Sequence, residues 1–293
     1  MISTTDRARA SAALSSAHES FLVHHRFRYL KLALLLIVAS VVPYVVWVPA
    51  TGHDGGTWLG YTLGTVGALL IIWLMLLGVR KRRYGPGAWS LKAWLSAHVY
   101  LGLALIVVAT LHAGFQVGWN IHTLAYVLML VVIATGVFGV VTYARVPRLM
   151  TQNRLSQTLD GMAREVLELD RQAVEAALPL GDDFAEEVRR SREETRLGGS
   201  LWRQLSGRDP RCGTDQALRR VRALAQDAPP ETSERAANLA VLLRRKQELL
   251  QRARRDIRYK ALLDLWLYTH VPLSFALLAA LIAHVVSVFF YWG

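Results

Sequence analysis

The chain has 293 residues, of which 53% are hydrophobic and 19% are charged, and its formal net charge is +12. This apolar content excludes a disordered chain and exceeds the usual share in soluble domains. So basic a chain would suggest nucleic acid as a partner, but Lys and Arg are absent from three long stretches, which argues against it. The single cysteine, Cys212, excludes a disulfide framework, a Cys-ligated iron–sulfur cluster and a covalent c-type haem site.

The three stretches without Lys and Arg contain five apolar segments that are long enough to cross a membrane. A hydrocarbon core about 30 Å thick needs about 20 apolar residues of helix. Pro43 predicts a kink in the first segment. The pattern predicts an all-α integral membrane protein with five transmembrane helices. The predicted spans are residues 30–48, 58–79, 91–111, 121–142 and about 265–291.

The distribution of positive charge predicts the orientation of these spans. If the N-terminus is cytoplasmic, all 34 Lys and Arg residues fall on the cytoplasmic side, within residues 1–31, 80–92 and 145–260. The loops on the other side carry none. Because basic loops are retained in the cytoplasm, we expect a multi-pass protein of the cell inner (plasma) membrane with its C-terminus outside.

A polar insert separates spans four and five. Residues 145–260 hold 24 basic and 18 acidic residues. Leucines at helical spacing predict about four amphipathic helices, the last running from about Glu231 into span five, with Thr232 or Ser233 as its cap. We expect a cytoplasmic N-terminal segment, spans one to four, a helical cytoplasmic insert and span five. Their predicted boundaries are residues 1–29, 30–142, 143–260 and 261–293.

Two spans carry histidines in a repeated spacing. His98 and His112 lie fourteen residues apart on span three, as do His270 and His284 on span five. Fourteen residues of helix rise about 21 Å in nearly four turns, so each helix presents both of its imidazoles on one face. Because the two spans run in the same direction, His98 and His270 share an inner depth and His112 and His284 an outer one. An ionisable residue in a span is costly and indicates function.

Two level imidazole pairs predict two bis-histidine haem b groups in a four-helix bundle core. A zinc ion prefers four ligands, and a proton relay would need Asp or Glu in the spans, where only Asp264 comes close. The alternative is that these histidines are satisfied within the protein core. Small residues that permit close helix packing, or room for a porphyrin, recur on spans two and four: Gly60, Gly64, Gly67, Gly136 and Gly139.

A fifth histidine, His122, begins span four near the outer pair. It could contact a haem propionate or a quinone, or it could be an interfacial histidine without a role. We expect no catalytic residue, because two axial histidines leave each iron without an open position.

The motifs around the four histidines resemble the di-haem b-type membrane cytochromes, including the ferric-reductase-like transmembrane family. The resemblance covers spans two to five, about 150 residues, and implies that the four histidines are axial haem ligands. The chain departs from the family in having five spans rather than six or eight, in lacking flavin and nicotinamide domains after the last span, and in its long insert. The motifs are Ala97-His98-Val99-Tyr100-Leu101-Gly102, Leu111-His112-Ala113-Gly114, Thr269-His270-Val271-Pro272-Leu273 and Ala283-His284-Val285.

The expected function is electron transfer across the bilayer, as a subunit of an oxidoreductase complex. Electrons would pass between a redox partner protein and quinone or another carrier. A net charge of +6 on residues 145–260 favours an acidic partner docking on the insert, although basic runs such as Arg254-Arg255 could instead face membrane lipid. The alternatives are a membrane anchor or assembly subunit of a redox complex, and a haem-free transporter or sensor.

Overall fold

The computed structural model describes residues 21–50, 52–82, 90–154 and 158–291. The expected N-terminal segment therefore lies largely outside the described residues. Within them every regular element is helical, and two 3-10 turns, Phe21–Val23 and Leu178–Leu180, accompany nine α-helices. The helices are α1 (His24–Val46), α2 (Trp58–Arg82), α3 (Leu91–His112), α4 (Ile121–Arg154), α5 (Leu159–Ala177), α6 (Asp182–Glu193), α7 (Leu201–Ser206), α8 (Gly213–Gln226) and α9 (Pro230–Tyr291).

The five predicted spans are confirmed as helices. In the described part of the chain α1, α2, α3, α4 and α9 are long and apolar enough to cross a membrane. Two of them extend well beyond their apolar parts, since α4 continues to Arg154 and α9 begins at Pro230. The expected continuity of the last insert helix with span five is therefore confirmed.

The predicted cap of the last helix was wrong. Thr232 and Ser233 do not cap α9, because the helix already begins at Pro230, whose ring presets φ and whose missing N–H suits the first helical position. Helix α1 runs through Pro43 to Val46, and its non-helical dihedrals lie at its start, where His25, Arg26 and Phe27 have φ between 48° and 61°.

The chain divides into two compact units. The apolar unit comprises Met1–Val140 with Tyr268–Gly293, and the polar unit comprises Val141–Leu267. The four histidines of the predicted pairs all belong to the apolar unit.

Helix α3 contributes to all the buried clusters of the apolar unit. Its Val108 packs with Leu63 of α2, and its Ala97 packs with Tyr29 of α1. Leu105 of α3 meets Met129 of α4 and Leu277 of α9. Helix α3 is therefore placed to present its two histidines to neighbouring helices.

The apolar unit leaves large hydrophobic side chains uncovered. Val46 is 78% exposed and Phe289 is 76% exposed, and many other leucines and valines of these helices are also exposed. Extensive exposed apolar surface of this kind marks membrane or protein contacts. Together with the length of the helices, this exposure is compatible with a multi-pass membrane protein.

The polar unit is a helical bundle with an apolar interior. Helices α5, α6, α8 and the first part of α9 bury two clusters, and the predicted leucine stripes supply much of them. The unit contains the six-residue helix α7 in addition to the expected number of helices. The buried residues that share these clusters include Met162, Val166, Leu169, Val188, Leu218, Val221, Leu239, Leu243, Leu249 and Leu250.

Candidate histidine sites

The outer histidines lie together in the structure. The ring centroids of His112 and His284 are 6.0 Å apart, and their planes are inclined by 79°. His112 is the last residue of α3, whereas His284 lies within the last two turns of α9. Residues that are 172 positions apart in the sequence thus share one site.

The inner histidines also belong to one neighbourhood. His98 and His270 are close enough to interact electrostatically. Each is half-buried on its helix. The register of α3 is fixed at its start by Ser90, whose hydroxyl accepts the N–H of Ala93 at 3.1 Å.

Both histidines of α3 are anchored to backbone carbonyls of α2. Nδ1 of His98 lies 3.0 Å from the carbonyl oxygen of Leu74, and Nδ1 of His112 lies 2.8 Å from that of Gly60. A carbonyl oxygen only accepts hydrogen bonds, so each Nδ1 carries the proton. In a neutral imidazole this leaves the lone pair on Nε2.

His270 reaches the same tautomer through a hydroxyl. Its Nδ1 lies 2.9 Å from Oγ1 of Thr135 on α4, and that hydroxyl donates to the carbonyl of Val132 at 2.8 Å. Since the hydroxyl has only one hydrogen, it accepts from Nδ1–H of His270. The lone pair of His270 is therefore also on Nε2.

His284 is anchored by the fifth histidine. Nδ1 of His122 lies 2.5 Å from Nδ1 of His284, and the ring centroids are 4.5 Å apart. Sequence reasoning placed His122 near the outer pair but missed this contact. No spacing signal could have revealed it, because the two residues lie 162 positions apart on different helices.

Two of the predicted glycines make room for imidazole rings. A Cβ on Gly64 of α2 would lie 2.6 Å from Cε1 of His112, closer than real side chains approach. A Cβ on Gly136 of α4 would lie 3.4 Å from Cε1 of His270, at the edge of ordinary contact. Gly64 is thus required for the observed position of the His112 ring.

The donor set of each pair is two imidazoles. Within the described ranges, no group of three or more His, Cys, Asp or Glu residues is arranged to hold a metal ion. A pair of imidazoles suits a metal that arrives with most of its coordination sphere already filled. Comparison of the chain with family models, with curated proteins and with solved structures found no match.

Proposed function

We propose that this chain is a membrane electron-transfer subunit that binds two haem b groups. His98 and His270 would ligate the inner haem, and His112 and His284 the outer one. The observation that carries the proposal is that each of the four rings has its Nδ1 engaged by a hydrogen-bond partner. Metal-bound histidines almost always use their second nitrogen in this way.

These contacts have a chemical consequence for the ligands. A hydrogen bond from Nδ1–H fixes the tautomer and the ring orientation, and it makes Nε2 a stronger electron donor. His284 fits this scheme if its Nδ1–H donates to His122. Each haem would be held by its two histidines and would supply a one-electron carrier.

The packing of the rings supports the same proposal. Gly64 and Gly136 lie directly against His112 and His270. Small residues beside a ligand let the ring lie flat against the neighbouring helix instead of turning outward. The apolar helices around the pairs would exclude water, which favours neutral imidazole over imidazolium.

We further propose a route for the electrons. The two histidine levels lie fourteen residues apart on each helix, so two haems would divide the thickness of a bilayer between them. Electrons would pass between a redox partner protein at the insert and quinone or another carrier at the opposite face. The charge distribution supports a cytoplasmic N-terminus and insert, and hence location in the inner membrane.

The decisive experiment is a haem count on the purified chain and its variants. We expect two haems per chain and the sharp α and β bands of reduced bis-histidine haem b. His98→Ala or His270→Ala should remove one haem and leave the other, and His112→Ala or His284→Ala should remove the second. His53→Ala is the matched control, because His53 lies in the loop between α1 and α2 and belongs to neither pair.

Two results would refute the haem proposal. One is a purified wild-type chain without haem after expression in haem-replete cells. The other is an unchanged two-haem spectrum in His98→Ala. If every single variant loses both haems, replacement by Met, which can also ligate haem iron, separates loss of a ligand from collapse of the bundle.

The partner protein calls for a separate measurement. With a net charge of +6 on residues 145–260, electron entry from an acidic partner should slow as salt rises, because screening weakens electrostatic steering. A small neutral reductant serves as the control and should show no such dependence. Equal salt dependence for both reductants would contradict docking on the insert.

A further inference from the structure

Helix α5 of the polar unit has two apolar faces, and only one of them is covered. Met162 and Leu169 face the interior of the unit. On the other face Leu167 is 68% exposed and Val174 is 38% exposed, and Leu178, in the turn that follows the helix, is 73% exposed. A single exposed leucine on a protein surface is ordinary, whereas apolar side chains aligned on one face mark a contact.

The three exposed side chains have the spacing of a helix–helix seam. Val174 lies seven residues after Leu167, and Leu178 lies four residues after Val174. Leu178 keeps helical dihedrals, with φ −49° and ψ −47°, so it continues the same face. Apolar residues at steps of three, four and seven are the pattern by which helices pack in a coiled coil. The outer stripe, defined as Leu167, Val174 and Leu178, is therefore suited to contact with another helix.

A groove lies beside one end of the outer stripe, between α5 and α6. Its apolar lining consists of Val174, Ala177, Leu178, Ala185 and Val188. The groove holds about 470 Å³, whereas one water molecule accounts for about 30 Å³ of the liquid. An apolar side chain from another molecule therefore has room to enter.

The outer stripe and the groove are complementary to a second copy of themselves. Leu167 lies about 16 Å before Leu178 along the helix, so it cannot fill the groove of its own chain. If α5 of a second copy runs antiparallel, with Leu167 level with Leu178, a two-fold axis places each Leu167 at the groove of the other copy. The same alignment sets the two Val174 residues about 4.5 Å apart in height, next to the axis.

The charges around this surface also fit a second copy. Exposed charged residues between Leu167 and Leu178, together with those that line the groove, are three acidic and three basic, whereas residues 145–260 carry a net charge of +6. In the antiparallel alignment Arg171 comes within one residue of the height of Glu175 of the second copy. A balanced border is less suited to an acidic protein or to anionic lipid. The six residues are Glu168, Arg171, Glu175, Arg189, Arg192 and Glu193.

We propose that the chain forms a two-fold symmetric dimer through the outer stripes of its polar units, with Leu167 of each copy in the groove of the other. The apolar side chains then form the core of the interface and the balanced charges its rim, as in other protein interfaces. The dimer goes beyond the electron-transfer function. It requires neither bound haem nor a particular placement of the apolar unit.

Cysteine cross-linking of the full chain in membranes tests the alignment. The single cysteine, Cys212, is fully buried, so an introduced surface cysteine reacts without a competing thiol. With a short bismaleimide, Val174→Cys should give at least about tenfold more product of twice the chain mass than Trp202→Cys, an exposed control, because neighbouring thiols have a high effective concentration. Leu167→Cys and Leu178→Cys should cross-link weakly when expressed alone and strongly when expressed together.

A disruptive variant tests the same surface in the purified chain. Leu167→Glu combined with Leu178→Glu should raise the dissociation constant of the dimer more than about tenfold, because both apolar anchors are replaced by charge. Sedimentation velocity in detergent measures this, and circular dichroism checks that the variant is folded. Val241→Glu is the matched control, since Val241 is an exposed apolar residue of α9 outside the outer stripe, and should keep the wild-type dimer.

Four results would overturn the proposal. One is a wild-type chain that is monomeric in both membranes and detergent. Another is equal cross-linking of Val174→Cys and Trp202→Cys. A third is a dimer that survives the double glutamate variant, which would show that another surface forms it. The fourth is a benzophenone on Leu178→Cys that reacts with lipid or with a different polypeptide instead of a second copy, which would assign the groove to that occupant.

Discussion

The apolar and polar units are both built from helices, but they satisfy their interior polar groups in different ways. In the apolar unit, neutral imidazoles between helices are tied to backbone carbonyls or hydroxyls, as His98 is tied to Leu74. In the polar unit, the fully buried Lys246 is tied to Asp170 at 2.5 Å and to Ser191 at 3.0 Å. One unit therefore holds neutral, half-buried donors between its helices, whereas the other buries a charged pair.

This difference is the one expected if the apolar unit lies in a bilayer and the polar unit in water. No water reaches the hydrocarbon of a bilayer, so a polar side chain there must find a partner within the protein and is costly if it is charged. A soluble bundle can bury one ion pair because other hydrogen bonds complete it. Burial lowers the pKa of Lys246, and the hydrogen bond and charge of Asp170 oppose that shift. Lys246 thus joins α5 and α9 structurally.

The largest effect is expected from a substitution that breaks the charged pair of Lys246 and Asp170. Asp170→Ala leaves Lys246 buried without its carboxylate and should destabilise the polar unit by about 3–5 kcal/mol. Denaturant unfolding followed by hydrogen exchange in α5 and α9 measures this. The double variant Asp170→Leu, Lys246→Met is the control and should lie close to the wild type. A loss below about 1 kcal/mol in Asp170→Ala would show that the pair is not buried in solution.

The next prediction tests the imidazole packing in the apolar unit. Gly64→Ala should displace the His112 ring, because the new Cβ would lie 2.6 Å from Cε1, and should cost about 1–3 kcal/mol. Gly67→Ala is the matched control on the same helix, since its Cβ would meet Leu105 at an ordinary 3.6 Å. Thermal unfolding in detergent compares the two. Under the haem proposal only Gly64→Ala also alters the outer haem spectrum. Equal stability of the two variants would contradict this account.

Hydropathy and residue spacing act along one helix, so both can be read from the sequence. The five apolar helices follow from composition alone, and the fourteen-residue spacing placed His112 and His284 at one level. The anchors were not predictable, because the contacts with Leu74, Thr135 and His122 depend on how helices rotate and pack. The pair of Lys246 and Asp170 lies 76 residues apart and leaves no local pattern.

The N-cap residues of α3 and α5 allow the same interaction to be compared in the two units. Ser90 caps α3 by accepting from Ala93, and Thr158 caps α5 by accepting from Gly161 at 3.0 Å. Ser90→Ala and Thr158→Ala should each cost about 1 kcal/mol, since each leaves one backbone N–H without its partner. Each is measured as a shift in unfolding of its own unit. The conservative variants Ser90→Thr and Thr158→Ser should retain most of the stability.

The smallest expected effect is an acid dependence confined to the polar unit. Hydrogen bonds from Arg171 and Gln172 lower the pKa of Glu168 from 4.5 to about 2. Because the folded-state pKa is the lower one, the stabilisation is present above pH 4.5 and is lost as pH falls toward 2. The effect is slight, since the pair is exposed to solvent. Between these pH values, the free energy of unfolding should change less with pH in Glu168→Gln than in the wild type. An identical pH dependence in the two proteins would contradict the assignment.

The anchoring of His98 and His112 to α2 has a consequence for biosynthesis. Their counterparts on α9 are each 172 residues further along the chain. At about 5–20 residues per second, a ribosome needs roughly 10–30 s to make that stretch. Helices α2 and α3 are both synthesised before it, so the carbonyls of Leu74 and Gly60 can hold the two imidazoles while α9 is still unmade. The first half of each pair can therefore form with its Nδ1–H groups satisfied before the second half is synthesised.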